Sequence, residues 1–362
     1  MQAEPLKHTL RRGWTTGACA AAAAKAAASA LLGAAFPDPV IITLPQGQTP
    51  AFALAMQERG ETFARAGIIK DAGDDPDVTH GVLVVAKVWR ALPGEGIVFH
   101  AGPGVGTVTR PGLPLAPGEP AINPAPRAMI STALAEIAGA AADFHVEIAI
   151  PGGEALALRT LNPRLGIIGG LSVLGTTGIV VPYSCAAWID SIHRGIDVAR
   201  ASGLTHVAGA TGSTSETAIM HMHGLPDAAL IEMGDFVGGM LKYLRRHPLP
   251  RLSIAGGFGK ITKLGQGLLD LHSKRGEVDP IWLSARAAEA GASAATVEAI
   301  KAANSALHAR QLDDSGRLSM IVAERAWNTA ANLLGPLPCA LEIVIFDRAG
   351  ALLATTGLKP LR

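Results

Sequence analysis

Residues Lys70 to Gly81 read KDAGDDPDVTHG, the densest cluster of reactive side chains in the first half of the chain. Asp71, Asp74, Asp75 and Asp77 fall within seven residues and repel one another. Such a loop needs a cation, a basic segment or a polar ligand to balance it. Asp74, Asp75, Asp77 and His80 are the candidate catalytic groups, able to take up a proton or hold a polar ligand. A solvated acidic turn is the plain alternative. The D-x-D spacing resembles calcium loops, but the EF-hand frame with its terminal Glu is missing.

Arginines punctuate the Gly/Pro loops that follow. Arg110 precedes Pro111, Arg127 follows Asn123–Pro126, and Arg159 and Arg164 flank Asn162-Pro163. Arg held in rigid loops suits bidentate recognition of carboxylates, and together these residues suit a substrate carrying several. Taken singly, each reads as a surface or loop-bracing residue. In the second half, three Gly loops follow strand-like runs at Gly209–Ser213, Gly234–Phe236 and Gly256–Gly259. Gly256–Lys260 is not a phosphate-binding Walker loop, because Ile254 and Ile261 stand where Gly and Ser/Thr are needed. Gly102–Gly106 fails the dinucleotide pattern at Thr107. His221-Met222-His223 could bring two imidazoles together, but no third ligand lies nearby, and no protein-bound metal is expected. No Gly-x-Ser-x-Gly, HExxH or CxxC is present, which lowers hydrolase and metalloenzyme readings.

The elements that must carry these residues change in grammar near residue 190. Ala18–Leu32 predicts a buried helix behind Thr15-Thr16-Gly17, whose hydroxyls can cap it. Arg11-Arg12 before an Ala-rich run mimics a twin-arginine signal, but Lys25 interrupts the run and Ala is barely apolar. Strands are expected at Val40–Leu44, Phe52–Glu58, Phe63–Ile69, Val82–Val88 and His145–Ile150, with a helix at Arg127–Ala140. After residue 190, strand–Gly loop–helix recurs three times: strands Leu204–Ala208, Ala228–Met233 and Arg251–Ala255, with helices from Ser213, at Val237–Arg246 and at Ile261–Leu271. Ser213 and Glu216 have capping-box spacing. Two or three further helices are expected between Trp282 and Leu334, and a late strand at Leu341–Phe346. The expected fold is a two-layer α+β domain at 1–190 followed by a three-layer α/β/α Rossmann-like domain, mainly parallel, at 191–362. Ligands of such sheets sit at the carboxyl ends of the strands.

Composition agrees with a globular enzyme. The chain is 49% hydrophobic and 17% charged with a formal net charge of +1, which argues against a nucleic-acid or membrane-surface binder working by bulk electrostatics. The three cysteines are far apart, so the cytoplasm is the expected compartment. Oligomeric state is open, and a homo-oligomer is compatible with the sequence.

Five blocks resemble the CbiD family: Arg12–Ala20 (RGWTTGACA), Asp71–Gly81 (DAGDDPDVTHG), Gly104–Leu113 (GVGTVTRPGL), Ala121–Arg127 (AINPAPR) and Arg164–Pro182 (RLGIIGGLSVLGTTGIVVP). They run in the family order across the first half. Gly234–Gly238, Gly257–Leu264 and Leu271–Ser273 match more loosely, and Asp235 stands where the family usually has Asn. The resemblance implies methyl transfer from S-adenosylmethionine to C1 of cobalt-precorrin-5B, giving cobalt-precorrin-6A on the anaerobic route to adenosylcobalamin. The substrate is then a small-molecule corrinoid rich in carboxylates. Its candidate contacts are Thr15, Thr16, Gly17, Arg110, Arg127, Arg164, Thr176 and Thr177. The cofactor is expected at the second sheet, with Gly209, Thr211 and Gly212 facing its amino-acid part and Glu232 or Asp235 its ribose. Gly257, Gly259 and Lys260 complete that set. Methylation of a metal-free precorrin, a non-catalytic tetrapyrrole carrier or scaffold, and a nicotinamide-dependent reductase are the alternatives.

Overall fold

The computed structural model describes residues 10–139 and 143–361. The chain is mixed α/β and forms two compact units, Met1–Cys185 and Ala186–Arg362. Among the described residues, no helix is long and apolar enough to cross a membrane.

In the first unit, helix α1 (Thr16–Leu31) is buried on nearly all sides. Ala at most of its positions is what permits this, since small side chains let a helix approach its neighbours closely. It packs on a five-stranded sheet and on helix α2 (Pro124–Ala138). Lys25 resolves the conflict of a cation in that run. Its ammonium donates to the Ile41 carbonyl (2.7 Å) and pairs with Glu136. The sheet contains β2 (Met56–Arg59), β3 (Phe63–Ile69), β4 (Leu83–Arg90), β5 (Ile97–Ala101) and β6 (Phe144–Ala149), in the order β2-β3-β4-β6-β5. Only the β6–β5 pairing is parallel. A separate two-residue ladder joins β1 (Gly13–Trp14) to β7 (Ile179–Val180).

Two expected strands are cut short. Val40–Ile41 pairs with Ala51–Phe52 for two residues only, because Pro39, Pro45 and Pro50 have no N–H to extend the ladder. The α2 helix starts at Pro124 and ends at Ala138; the end expected at Ala140 lies outside the described residues. The loop-rich 101–126 stretch is pinned by short pairs, Gly104–Val105 with Gly170–Leu171 and Thr107–Val108 with Ile167–Ile168.

In the second unit, α3 (Cys185–Ala201) leads into β8 (His206–Ala210), α4 (Ser213–His223), β9 (Leu230–Glu232), α5 (Val237–Arg246), β10 (Arg251–Gly257) and α6 (Phe258–Gly265). Four helices follow: α7 (Pro280–Ala290), α8 (Ala294–Lys301), α9 (Ala306–Leu312) and α10 (Leu318–Leu334). They precede β11 (Ala340–Phe346), β12 (Leu352–Thr355) and β13 (Lys359–Pro360). The strand order is β9-β8-β10-β11-β12, parallel through β11, with β12 and β13 antiparallel to β11. Alternate residues face two separate cores. Val207, Leu252, Ile254 and Ile343 pack with α5, α6 and α10, while Ala208, Ala255 and Val344 pack with Ile219 of α4.

Two expectations fail here. Ser213 is not the cap of α4; Gly212 is, without a side-chain hydrogen bond, and Ser215 Oγ instead donates back to the Gly212 carbonyl (2.8 Å). The helix expected at Ile261–Leu271 begins at Phe258 and ends at Gly265, because β10 stays paired with β11 out to Gly257.

Candidate active site

The acidic loop finds its partners inside its own unit. Lys70 is only 1% exposed, and its ammonium donates to Asp77 Oδ2 (2.7 Å). Asp77 Oδ1 accepts from the N–H and hydroxyl of Thr79. Burial works to raise the Asp77 carboxyl, but the Lys70 ammonium and the Thr79 donors outweigh it and hold the group below its usual value. Asp71 forms a two-point pair with the Arg11 guanidinium and accepts from the Gly73 N–H, which brings it down to about 2. Asp74 accepts from the Arg11 N–H (2.6 Å), and Asp75 Oδ1 accepts from the Tyr183 N–H (2.8 Å). Of the cation, basic segment or polar ligand that the charge count calls for, the structure supplies basic side chains, Arg11 together with Lys70.

The backbones meet closely at this point. Gly73 has φ +68°, and a Cβ there would lie 2.1 Å from the Arg11 carbonyl oxygen. One built on Gly13 would lie 2.0 Å from the carbonyl carbon of Ala72. Only glycine fits either position. Tyr183, 66% exposed, holds φ +55°, a strained value for a bulky residue, and its N–H anchors Asp75.

Of the candidate catalytic groups, Asp77 is thus fully engaged, and Asp74 and Asp75 each commit one oxygen to a backbone N–H. His80 is exposed, and its Nδ1 accepts from the Ala72 N–H (3.1 Å). That bond assigns the neutral ring to the Nε2–H tautomer. His80 therefore presents a donor, and taking a proton on Nδ1 would cost it the Ala72 bond.

The expected substrate contacts divide. Thr15 caps α1, accepting from Ala18 N–H, while the Gly17 N–H donates to Leu174 and Thr16 Oγ1 bonds both polar groups of the Leu174 backbone. The start of α1, expected among the substrate contacts, spends these donors on its own unit. Arg127 bonds Ile122, Pro120 and Glu119 and lies over Phe99, and Arg110 donates to the Arg164 carbonyl (2.9 Å). Both act as loop braces. Thr177 Oγ1 bonds the Ile179 backbone, and Thr176 is exposed. Arg12 is exposed and, among the described residues, makes no side-chain ion pair.

In the second unit, β8 is followed through α4 by β9 on one side and through α5 by β10 on the other, so the chain reverses direction across the sheet between β8 and β10. Thr211, Gly212, Gly256 and Gly257 stand at that edge. Gly212 and Gly257 have open space where a side chain would be. Lys260 donates to the Thr211 carbonyl (2.9 Å) and lies 3.0 Å from Asp235 Oδ1, so it braces the loop. Two expected cofactor residues face elsewhere. A Cβ on Gly209 would meet Met240 Sδ at 2.4 Å, so Gly209 makes room for α5, and Gly259 lies inside the first turn of α6. Glu232 is exposed at the end of β9, and its carbonyl accepts from Trp188 Nε1 (3.1 Å). Trp188 lies 6.5 Å from the Phe236 ring and is 43% exposed. Sequence reasoning missed Trp188, Tyr183, Arg11 and Lys70. The only signal for the aromatic pair was the scarcity of such rings, 4% of the chain. Burial raises Cys19 to about 12 and Cys339 to about 11, so neither is a thiolate at neutral pH.

A largely parallel sheet with an open glycine edge, and a unit whose acidic loop is laced to a strained tyrosine, define a mixed α/β protein. The family model described as CbiD matches residues 3–182, and that for the CbiD C-terminal domain matches 270–357. A cobalt-precorrin-5B C(1)-methyltransferase of Agrobacterium fabrum is 61% identical over 97% of this chain and 94% of its own length. Its counterpart in Paramagnetospirillum magneticum is 59% identical over 95% and 97%. A crystal structure of a cobalamin biosynthesis protein (cbiD) from Archaeoglobus fulgidus is 28% identical over 74% and 83%, with a TM-score of 0.39. The chain belongs to the CbiD family.

Proposed function

We propose that this chain is a cobalt-precorrin-5B C(1)-methyltransferase. The observation that carries the assignment is identity near 60% along almost the whole chain to curated enzymes of that name. S-adenosylmethionine supplies the methyl: the bond to ring carbon C1 forms as the S–CH3 bond breaks, and sulfur keeps the electron pair. The conjugated ring provides the nucleophile, which agrees with the raised Cys19 and Cys339 thiols and with the missing Ser and Cys motifs. What the protein adds is alignment of the two reactants and exclusion of water.

We read the second unit as a Rossmann-like cofactor domain. Its support is the reversal point between β8 and β10, where ligands of open parallel sheets bind. Gly212 and Gly257 leave room there for a ligand against the backbone, we read Glu232 at the end of β9 as the carboxylate for ribose hydroxyls, and the Trp188 face suits an adenine ring or a sulfonium. The α+β unit is read as the macrocycle domain. Arg12 offers a guanidinium that makes no ion pair among the described residues, Tyr183 an exposed aromatic face, and His80 an Nε2–H donor. The free thiols Cys19, Cys185 and Cys339 suit a reducing cytoplasm.

The test is transfer of labelled methyl from S-adenosylmethionine to cobalt-precorrin-5B and to the metal-free ring, alongside calorimetric titration with S-adenosylhomocysteine. Label on the cobalt ring and nucleoside binding support the assignment. Corrinoid binding without nucleoside binding would make the chain a carrier.

A further inference from the structure

Away from the carboxyl edge, three polar side chains interrupt the α4-facing side of the second sheet. They are His206 in β8, Ser253 in β10 and Glu342 in β11. Ser253 and Glu342 are register partners, and His206 stands two residues before Ala208, the register partner of Ser253 on the other side. His223, the last residue of α4, closes over them. His206 is 7% exposed, Ser253 0% and Glu342 2%. Ser253 Oγ lies 2.7 Å from His206 Nε2 and 2.5 Å from Glu342 Oε1, which His223 Nε2 also contacts. One ligand atom each from His206, His223 and Glu342 lies within 4.8 Å of the others.

We propose that His206, His223 and Glu342 bind a divalent transition-metal ion of the zinc class. Two imidazole nitrogens and one carboxylate oxygen are a zinc donor set with one further position. Ser253 Oγ touches two of the three ligands and either takes that position or orients them. Zinc holds such ligands at about 2.0–2.2 Å, which sets tetrahedral ligand atoms a little over 3 Å apart. Closing the triad takes about 1.5 Å at its widest, within the reach of side-chain rotation at a helix end. Glu342 gives the electrostatic reason: a carboxylate buried in a strand reading ALEIVIF needs a cation beside it. The ion would fasten the end of α4 to three strands, at the amino ends of those strands. The cobalt of the substrate ring has no part in it. Of the His221-Met222-His223 pair only His223 takes part; its carboxylate partner is 119 residues away, beyond local spacing.

The experiment uses the full chain, free of any affinity tag and stripped with a chelator. It is titrated with Zn2+ against a chromophoric chelator, and with Co2+ for the visible bands of a tetrahedral site. About one equivalent should bind and raise the melting temperature. His223→Ala and Glu342→Gln should each weaken binding by more than about 100-fold, the upper end for groups that only orient ligands. His221→Ala, on the exposed side of the same turn, should leave it unchanged. Should Glu342→Gln fail to fold, His223→Ala at the helix end carries the test. Three outcomes would overturn the site: no stoichiometric Zn2+ binding by the folded parent, binding that His223→Ala retains, or equal weakening by His221→Ala.

Discussion

Asp77→Asn removes the charge that Lys70 faces, and the ammonium it leaves behind cannot reach water. Lys70 is 1% exposed, whereas the Asp77 side chain is 25% exposed and keeps two Thr79 donors. Removing one partner of a buried ion pair costs about 3–5 kcal/mol, so Asp77→Asn should fall in that range. Lys70→Met keeps the alkyl stem and leaves a carboxylate with solvent and donors, which sets its cost at about 1–2 kcal/mol. Combining the two removes the stranded charge, so the double variant should be more stable than Asp77→Asn alone by at least about 1 kcal/mol. Urea unfolding of the full chain measures all four corners without adding salt. The first transition is the one to read if the two units unfold separately. An Asp77→Asn chain within about 1 kcal/mol of the parent would mean that water reaches Lys70. A double variant weaker than both singles would mean that the pair acts through packing and not charge.

Acid should act on the same loop. Asp71 and Asp77 are held below the value near 3.9 of an unfolded chain, Asp71 at about 2. Their stabilisation is complete above about pH 4 and is lost as pH falls through the folded values. Asp71 is exposed enough to contribute under about 1 kcal/mol. The melting-temperature gap between the parent and Asp77→Asn should stay level from neutrality to about pH 4 and narrow below it, the depressed histidines His100, His193 and His206 acting alike in both chains; a gap that narrows from near neutrality would refute the assignment. Gly73→Ala places a Cβ against the Arg11 carbonyl at φ +68° and should cost more than about 2 kcal/mol by thermal melt. His80→Asn keeps an acceptor for the Ala72 N–H and loses the Nε2–H donor. It should fold like the parent while kcat drops about 10-fold or more, and an unchanged kcat would remove His80 from the chemistry.

Legibility in the sequence followed the range of the interaction. Phe63–Ile69 and Val237–Arg246 were bounded to the residue, because Pro or Gly punctuation and a single apolar face fix such elements locally. The short β1–β7 and Gly104–Leu171 ladders were not legible, since partners so far apart carry no mutual signal in spacing. The acidic loop was found from charge density, and that density said a counter-charge was needed. It could not say that Arg11 and the buried Lys70 supply it. Ser213 and Glu216 had the spacing of a capping box, yet Gly212 at φ 173° took the cap and Ser215 turned inward. Glycine type alone says as little about surroundings. Gly209 and Gly259 share a composition with Gly212 and Gly257, but Gly209 makes room for Met240 and Gly259 lies within the first turn of α6, where a Cβ would meet only Ala306 at 3.6 Å.

Under the proposed function, the hydrogen-bond ledger of the first unit sorts the cations open to the substrate's carboxylates. The Gly17 and Ala18 N–H groups of α1 are taken by Leu174 and Thr15, and Arg127 spends its guanidinium on Ile122, Pro120 and Glu119. An engaged donor must break a bond before it makes one, so its net gain on binding is small. Among the described residues Arg12, like Arg159, makes no side-chain ion pair, and of the two it is Arg12 that is chained to the acidic loop through the Arg11 carbonyl and Asp74 N–H. Arg12→Ala should therefore raise KM for the corrinoid by about 10-fold or more at unchanged melting temperature, a charged hydrogen bond being worth about 1.5–3 kcal/mol. Arg127→Ala should do the reverse, lowering the melting temperature first, because it unfastens the 119–122 loop. Steady-state kinetics and melts on both variants separate the roles. A KM effect from Arg127→Ala in a chain that melts like the parent, with none from Arg12→Ala, would return the substrate to the α2 arginine.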